Sequence, residues 1–299
     1  MLKINPGELP IPKMHQYLLG SVGPRPIALA STLDADGNPN LSPFSFFNVF
    51  SANPPILIFS PARRGRDNST KDTYHNCKNT GEVVINMVNY DIVQQVSLAS
   101  CDYPAGVNEF TKSGLTPIES ELIKPFRVKE SPVQIECKVR DVVELGNQGG
   151  AGNLVICEVL RMHIKEEVVA EDGFIDQDKI DLVGRMGRDW YCRTNGDALF
   201  AVEKPHVRLG IGVDAIPAAI KNSTILTGNN LGQLGNVERL PDAGEIESIL
   251  TDYRVREIVT SAADGLEKRE ALHTLAKELL EENQVWDAWK VLLQDKMAR

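Results

Sequence analysis

Gly23-Pro-Arg-Pro-Ile-Ala-Leu-Ala-Ser-Thr32, Asn40-Leu-Ser-Pro-Phe-Ser-Phe-Phe-Asn48 and Asn53-Pro-Pro-Ile-Leu-Ile-Phe-Ser60 set short apolar runs beside hydroxyls and aromatic rings, and Lys71-Asp72-Thr73 closes the stretch. Residues 27–31 read as a strand entered through two prolines, and Asp34-Ala-Asp-Gly-Asn-Pro39 supplies the turn of a hairpin. Residues 41–50 mix aromatics with Ser and Asn. If they are extended, Phe44, Phe46 and Asn48 share one face while Ser45 and Phe47 share the other. Pro54-Pro55 cannot donate to a ladder, so it marks the start of a buried strand at 56–60.

Strand character returns at 82–88, 131–143 and 154–168, where Val, Ile and Leu dominate. Asp72 is read as the N-cap of a short helix ending near Gly81. Asp91 is read as the cap of residues 92–99, with Ile92, Val96 and Ala99 on one face. Many strands with few helices between them predict an α+β chain, mainly β, built on a closed or nearly closed antiparallel barrel. No Gly-x-Gly-x-x-Gly follows a strand and no P-loop occurs, which removes the two common nucleotide folds.

Beyond Lys204 the pattern turns helical, at 214–220, 242–250, 266–280 and 285–293, with Leu272, Leu275, Leu279 and Leu280 forming an apolar stripe. This predicts a barrel domain over 1–203 and a helical extension over 204–299. The extension's apolar face is expected to need the barrel or a partner subunit to cover it.

The chain has 299 residues, 42% of them apolar, and a formal net charge of -9. That balance argues against nucleic acid and anionic membrane surfaces as partners, since both demand clustered cations. Prolines 6, 10, 12, 24 and 26 interrupt the first thirty residues, so no signal peptide or membrane anchor is expected there. Cys77, Cys101, Cys137, Cys157 and Cys192 are odd in number and widely spaced, which reads as reduced thiols in a cytoplasmic protein.

Arg63, Arg64, Arg66 and Lys71 outnumber Asp67 and Asp72 in the loop after Ser60, inside an otherwise acidic chain. A dianionic phosphate suits that loop, with hydroxyls from Ser60, Ser69, Thr70 and Thr73 and the start of the following helix as further donors. A solvated basic loop satisfies the same pattern. Ser42, Ser45 and Asn48 could meet the polar edge of a ring system or satisfy local backbone groups at a strand edge. Arg25, held between prolines, is restricted in direction. Arg185, Gly187, Trp190 and Tyr191 form a basic and aromatic group that could cover a cofactor or pack the barrel's end. Packing is the expectation for Trp190.

His15, His75, His163, His206 and His273 lack ligand spacing, so no metal site is expected. No acid–base pair or nucleophile triad stands out, and no catalytic residue is assigned. Gly228-Asn229-Asn230-Leu231-Gly232 reads as turn chemistry with a capped helix.

The ordered series resembles the flavin reductase-like family of FMN-binding split barrels over about residues 13–195. It continues through Glu109-Phe110, Gly114-Leu115-Thr116, Glu130-Ser131-Pro132-Val133, Glu136-Cys137 and the 185–191 end. The resemblance implies a homodimer with FMN (FAD being the alternative) at the interface. It makes Arg63, Lys71, Asp72 and Thr73 phosphate-side candidates, and Thr32, Ser45, Phe47 and Asn48 ring-side candidates. Arg25, Ser31, Phe46, Ser60, Arg185 and Tyr191 complete the candidate cofactor set. Asp72 would orient Lys71 or cap its helix, because two anions repel.

Many short members of the family carry Gly-Asp-His before the strand that begins here near Leu154, whereas this chain has Gly149-Gly150-Ala151-Gly152-Asn153. The resemblance implies an FMN-dependent NAD(P)H:acceptor oxidoreductase. The missing His keeps open a flavoredoxin-like electron carrier without nicotinamide turnover, and the helical extension keeps open an FMN-binding interaction module.

Overall fold

The computed structural model describes residues 1–104, 106–205, 209–261 and 265–295, which fall into two compact units, Met1–Phe200 and Ala201–Arg299. His206, one of the five histidines, lies outside the described residues.

The strands of the first unit are β1 (Ala28–Leu33), β2 (Pro39–Phe44), β3 (Phe47–Ala52), β4 (Pro55–Phe59), β5 (Glu82–Met87), β6 (Pro117–Ile118), β7 (Arg127–Val128), β8 (Val133–Glu144), β9 (Asn153–Ile164), β10 (Val183–Arg185) and β11 (Tyr191–Arg193). Its helices are α1 (Ile11–Ser21), α2 (Asp72–Thr80), α3 (Val93–Leu98), α4 (Glu109–Ser113) and α5 (Gln177–Ile180). Seven strands form one antiparallel sheet in the order β2-β1-β5-β8-β9-β4-β3.

The strand order forces the shape. Strands β2 and β3 are the two edges, yet only Ser45 and Phe46 connect them. Three peptide steps span at most ~11 Å, whereas six gaps of ~4.8 Å would part the edges of a flat sheet by ~29 Å. The sheet therefore curls until its edges meet without a ladder between them, which is a split barrel. Ser60 N–H donates to Phe46 O at 2.8 Å and pins the joint to the end of β4.

This break shows that the condition under which Phe44, Phe46 and Asn48 would share one face, an extended run through 41–50, is not met. Phe44 and Phe47 flank the bend and both enter the barrel core, the Phe44 ring lying 5.4 Å from that of Phe59. That core is built from cross-strand neighbours such as Ala30, Ile85 and Ile135, and Leu57 with Cys157. Strand β1 is buried on both faces, because Leu29 turns outward into a second core with Leu41, Val88, Ile92, Val96 and Phe110. This is why residues 27–30 are apolar in succession rather than alternating.

Lys71, not Asp72, is the N-cap of α2, and Asp72 is its first helical residue, where a carboxylate still favours the helix dipole. Gly81 at φ +71° ends that helix in a conformation that costs other residues their Cβ clearance. Asp91 lies inside a 3-10 turn, Tyr90–Ile92, that leads into α3, and Ile92, Val96 and Ala99 are all buried as expected. Cys77, Cys137 and Cys157 are buried free thiols. Burial pushes Cys77 up to about 12 and raises the other two, so they serve as packing residues.

The second unit contains α6 (Ala218–Lys221), α7 (Gly228–Gly235), α8 (Ala243–Ser248), α9 (Tyr253–Thr260), α10 (Gly265–Glu281) and α11 (Val285–Leu292). The helix expected over 214–220 is split into a 3-10 turn, Val213–Ala215, and α6, with Pro217 between them as the cap. Thr227 with Asn230, and Asp242 with Glu245, form capping boxes, which accounts for the Gly-Asn run as helix-start chemistry.

Contrary to expectation, this unit has its own core. Leu272, Leu275, Leu279 and Leu280 of α10 meet Ile220, Leu234, Val255 and Leu292, around a fully buried Trp289 whose Nε1 donates to Leu234 O at 3.0 Å. The underestimate came from counting one helix's stripe, whereas five other helices contribute apolar faces to the same core.

Candidate functional site

One cavity of about 260 Å³ opens at the split, where the β2–β3 bend meets α1. Its wall takes His15 and Leu19 from α1, Arg25, the segment 42–46, Ser60, Ala62, Lys71, Ser100 and Arg185. No carboxylate lines it. The ionisable wall groups are one imidazole and three cations, in a chain whose net charge is -9.

Arg25 is 6% exposed, and its guanidinium is committed to the protein. It donates to Leu19 O at 2.7 Å, to Val22 O, to Met186 O at 2.9 Å and to Ser45 Oγ at 3.5 Å. The first two contacts are carbonyls at the C-terminal end of α1, where a cation also complements the helix dipole. Burial, and secondarily the charge of Arg185, holds the Arg25 pKa below its ordinary value. Its restricted direction therefore serves to tie α1 to the barrel.

Arg185 pairs with Arg25 backbone to backbone, and its guanidinium lies 4.6 Å from the Tyr191 ring centroid. Tyr191 thus supports a wall residue without lining the wall. Trp190 is 74% exposed, which corrects the expectation that it packs.

Lys71 Nζ, also in the wall, lies 2.9 Å from Asp102 Oδ1. Arg64 and Arg66 hold the same carboxylate at 3.2 and 3.0 Å, and the Lys71 hydrogen bond is the largest influence keeping the Asp102 pKa below the usual carboxylate range. Ser60 Oγ accepts the Asn153 N–H at 3.0 Å, while Asn153 Nδ2 donates to Pro61 O at 2.7 Å.

The Gly149–Asn153 departure also has a structural account. The loops at 60–65 and 149–153 touch backbone to backbone, through Arg63 N–H to Ala151 O at 2.8 Å and Gly150 N–H to Arg63 O at 3.0 Å. A Cβ on Gly149 would lie 3.1 Å from Arg64 O, and one on Gly152 would lie 2.8 Å from Ser60 Oγ.

The structure thus gathers Arg25, Ser45, Phe46, Ser60, Lys71 and Arg185 of the expected residues in one wall. It turns others elsewhere. Thr32 and Thr73 are buried in a network in which Asn40 Oδ1 takes the Thr73 hydroxyl at 2.8 Å and Asn76 Nδ2 donates to Thr32 Oγ1 at 3.0 Å. Ser31 is fully buried, and Phe47 fills the core. Asn48 is exposed and bonds the adjacent Val49 N–H, and Asp72 is exposed. Arg63 donates to Asn68 O at 3.2 Å and is outside the wall.

Sequence reasoning missed His15, Leu19 and Ser100 as wall residues, and Asp102 behind Lys71. Pro10 and Pro12 at the start of α1 were its available signal, because proline suits the first helical turn. His15 meets the edge of Phe46, with ring centroids 6.1 Å apart.

Cations, hydroxyls and a partly exposed aromatic ring suit an anionic ligand with a flat apolar portion. Among the described residues no group of His, Cys, Asp and Glu could hold a metal ion. No helix among them is long and apolar enough to cross a membrane.

Three solved structures are similar over about two thirds of the chain. Nitrilotriacetate monooxygenase component B from Bacillus cereus is 30% identical, with a TM-score of 0.63, over 68% of this chain and 98% of that one. The Pseudomonas fluorescens 2-nitrobenzoate 2-nitroreductase NbaA is 27% identical, with a TM-score of 0.60, over 68% and 97%. A Shewanella frigidimarina protein assigned as a flavin reductase with a split barrel domain is 30% identical, with a TM-score of 0.57, over 66% and 95%. The flavin reductase like domain matches residues 20–179, which run from the end of α1 into α5 and carry all seven barrel strands. With the strand order and the sequence match in agreement, this chain belongs to the flavin reductase-like family.

Proposed function

We propose that the chain is an FMN-dependent oxidoreductase that accepts hydride from NAD(P)H and passes electrons to flavin or another acceptor. The observation that carries this reading is the carboxylate-free cavity at the split of the barrel, with Lys71, Ser60 and the ring of Phe46 in its wall. Bound flavin would supply the electron chemistry, since the wall holds no acid–base pair of its own. Lys71 and the Ser60 hydroxyl would hold the phosphate, and Phe46 would pack on the ring.

Ligand cavities for molecules of this size commonly run from about 300 to 1,000 Å³, so a wall enclosing about 260 Å³ suits a site completed by a second copy. Exposed Val49 and Phe50 of β3 and Leu160 and Met162 of β9 offer apolar surface for such a homodimer. The test is anaerobic mixing of the FMN-loaded protein with NADH or NADPH. Bleaching of the flavin band by either donor is expected, and an unbleached spectrum with both overturns the reading.

The Gly149–Asn153 packing favours a second reading. Those glycines are needed for contact with the 60–65 loop, so the position offers no imidazole to a nicotinamide. In that case the protein is a flavoredoxin-like carrier, and a protein donor reduces the flavin where NAD(P)H does not.

A further inference from the structure

Asp102, from the segment after α3, places an anion among the cations of the basic loop. Asp102 Oδ1 meets Lys71 Nζ at 2.9 Å and Arg64 Nε at 3.2 Å, while Oδ2 meets Arg66 Nη1 at 3.0 Å. The three cations are not equivalent. Arg64 also donates to Ser69 Oγ at 3.1 Å and Thr70 O at 2.8 Å, and Arg66 pairs with Asp67 at 3.0 Å. Lys71 alone of the three lines the cavity, and among the described residues its ammonium bonds only Asp102.

We propose that Asp102 is a resident counter-ion of the phosphate subsite, which the phosphate of a flavin mononucleotide must replace at Lys71, so that the cofactor binds exchangeably. The inference rests on the flavin reading above and adds the residue that sets its affinity. A phosphate monoester near pH 7 carries roughly −1.5 to −2 charges and three strong acceptor oxygens, so it outcompetes a single carboxylate for one ammonium. The displaced carboxylate is not stranded, because Arg64 and Arg66 keep it paired. The Lys71 and Asp102 side chains are 27% and 36% exposed, so water can reach both during the exchange. The remaining cost is the loss of one ion pair plus repulsion between two neighbouring anions.

An assembling role for Asp102, in which it only holds the cations together, predicts the opposite sign on its removal. The full-length protein, stripped of flavin, is titrated calorimetrically with FMN and with riboflavin, which lacks the phosphate. Asp102→Asn is expected to tighten FMN binding about fivefold, the scale of one partly exposed ion pair, and to slow FMN release, while riboflavin binding stays within about twofold. In Lys71→Ala the same Asp102→Asn change is expected to give no gain, since there is no ammonium to release. Retained riboflavin binding shows that each variant is folded. Unchanged or weaker FMN binding in Asp102→Asn, with normal FMN binding by the wild type, overturns this inference alone. Absence of FMN binding by the wild type overturns the flavin reading together with it.

Discussion

Arg25 and Arg185 exchange both backbone hydrogen bonds, N–H to O distances being 3.0 and 2.8 Å, and their guanidinium groups line one cavity while doing different work. Arg25 is spent on the carbonyls of Leu19, Val22 and Met186, whereas Arg185 stacks on Tyr191 at the wall. Arg25→Ala leaves those carbonyls without their charged donor and is expected to destabilise the first unit by about 2–4 kcal/mol. Arg25→Lys keeps the charge but loses the fork, so it recovers only part of this. Urea unfolding followed by barrel-domain fluorescence checks both, and an unchanged midpoint for Arg25→Ala contradicts the assignment.

Lys71→Ala is expected to weaken FMN binding by about 1.5–3 kcal/mol, towards the lower end because Asp102 already holds the ammonium. Riboflavin binding should not change. Equal losses for both ligands would place Lys71 at the ring instead of the phosphate.

Gly152→Ala brings a Cβ to 2.8 Å from Ser60 Oγ, the atom that accepts the Asn153 N–H. Overpacking of this kind costs about 1–3 kcal/mol, and here it also displaces a cavity hydroxyl. Gly7→Ala, with nothing within 4 Å of the new Cβ, is the control and should melt like the wild type. Parallel melting curves for Gly152→Ala and the wild type would contradict the close approach.

The sequence signalled several of the barrel strands through local punctuation: the Asp34–Asn38 turn, the proline pair at the start of β4, and Gly81 before β5. It hid the bend at Ser45–Phe46, since that bend follows from strand order and not from a local breaker. Ser60 was legible as a hydroxyl at the end of a strand and Lys71 as a cation beside a helix start. Thr32 entered the candidate set through the resemblance and Thr73 also as a loop hydroxyl, whereas the folded chain turns both to Asn40 and Asn76. Asp102 could not be found by spacing, because it reaches Lys71 from 31 residues away.

His273 gives the second unit a pH dependence. Its Nδ1 meets Ser223 Oγ at 2.8 Å, and burial, with the charge of Arg269 second, lowers its pKa from the ordinary value near 6.5. The folded state therefore favours the neutral ring. Its contribution is complete above about pH 6.5 and is lost as pH falls from there towards the depressed folded value. Between about pH 7.5 and 5.5 the melting temperature should fall less steeply in His273→Gln than in the wild type, and identical slopes would contradict this.

The central claim is that the cavity at the split of the barrel holds a flavin by its phosphate, and the most direct measurement is a titration of the purified, flavin-free protein with FMN, followed by the visible spectrum and compared with Lys71→Ala. The account predicts a saturable shift of the flavin bands in the wild type and a weaker, right-shifted curve in the variant. A wild-type spectrum equal to the sum of free flavin and protein at every concentration would contradict it.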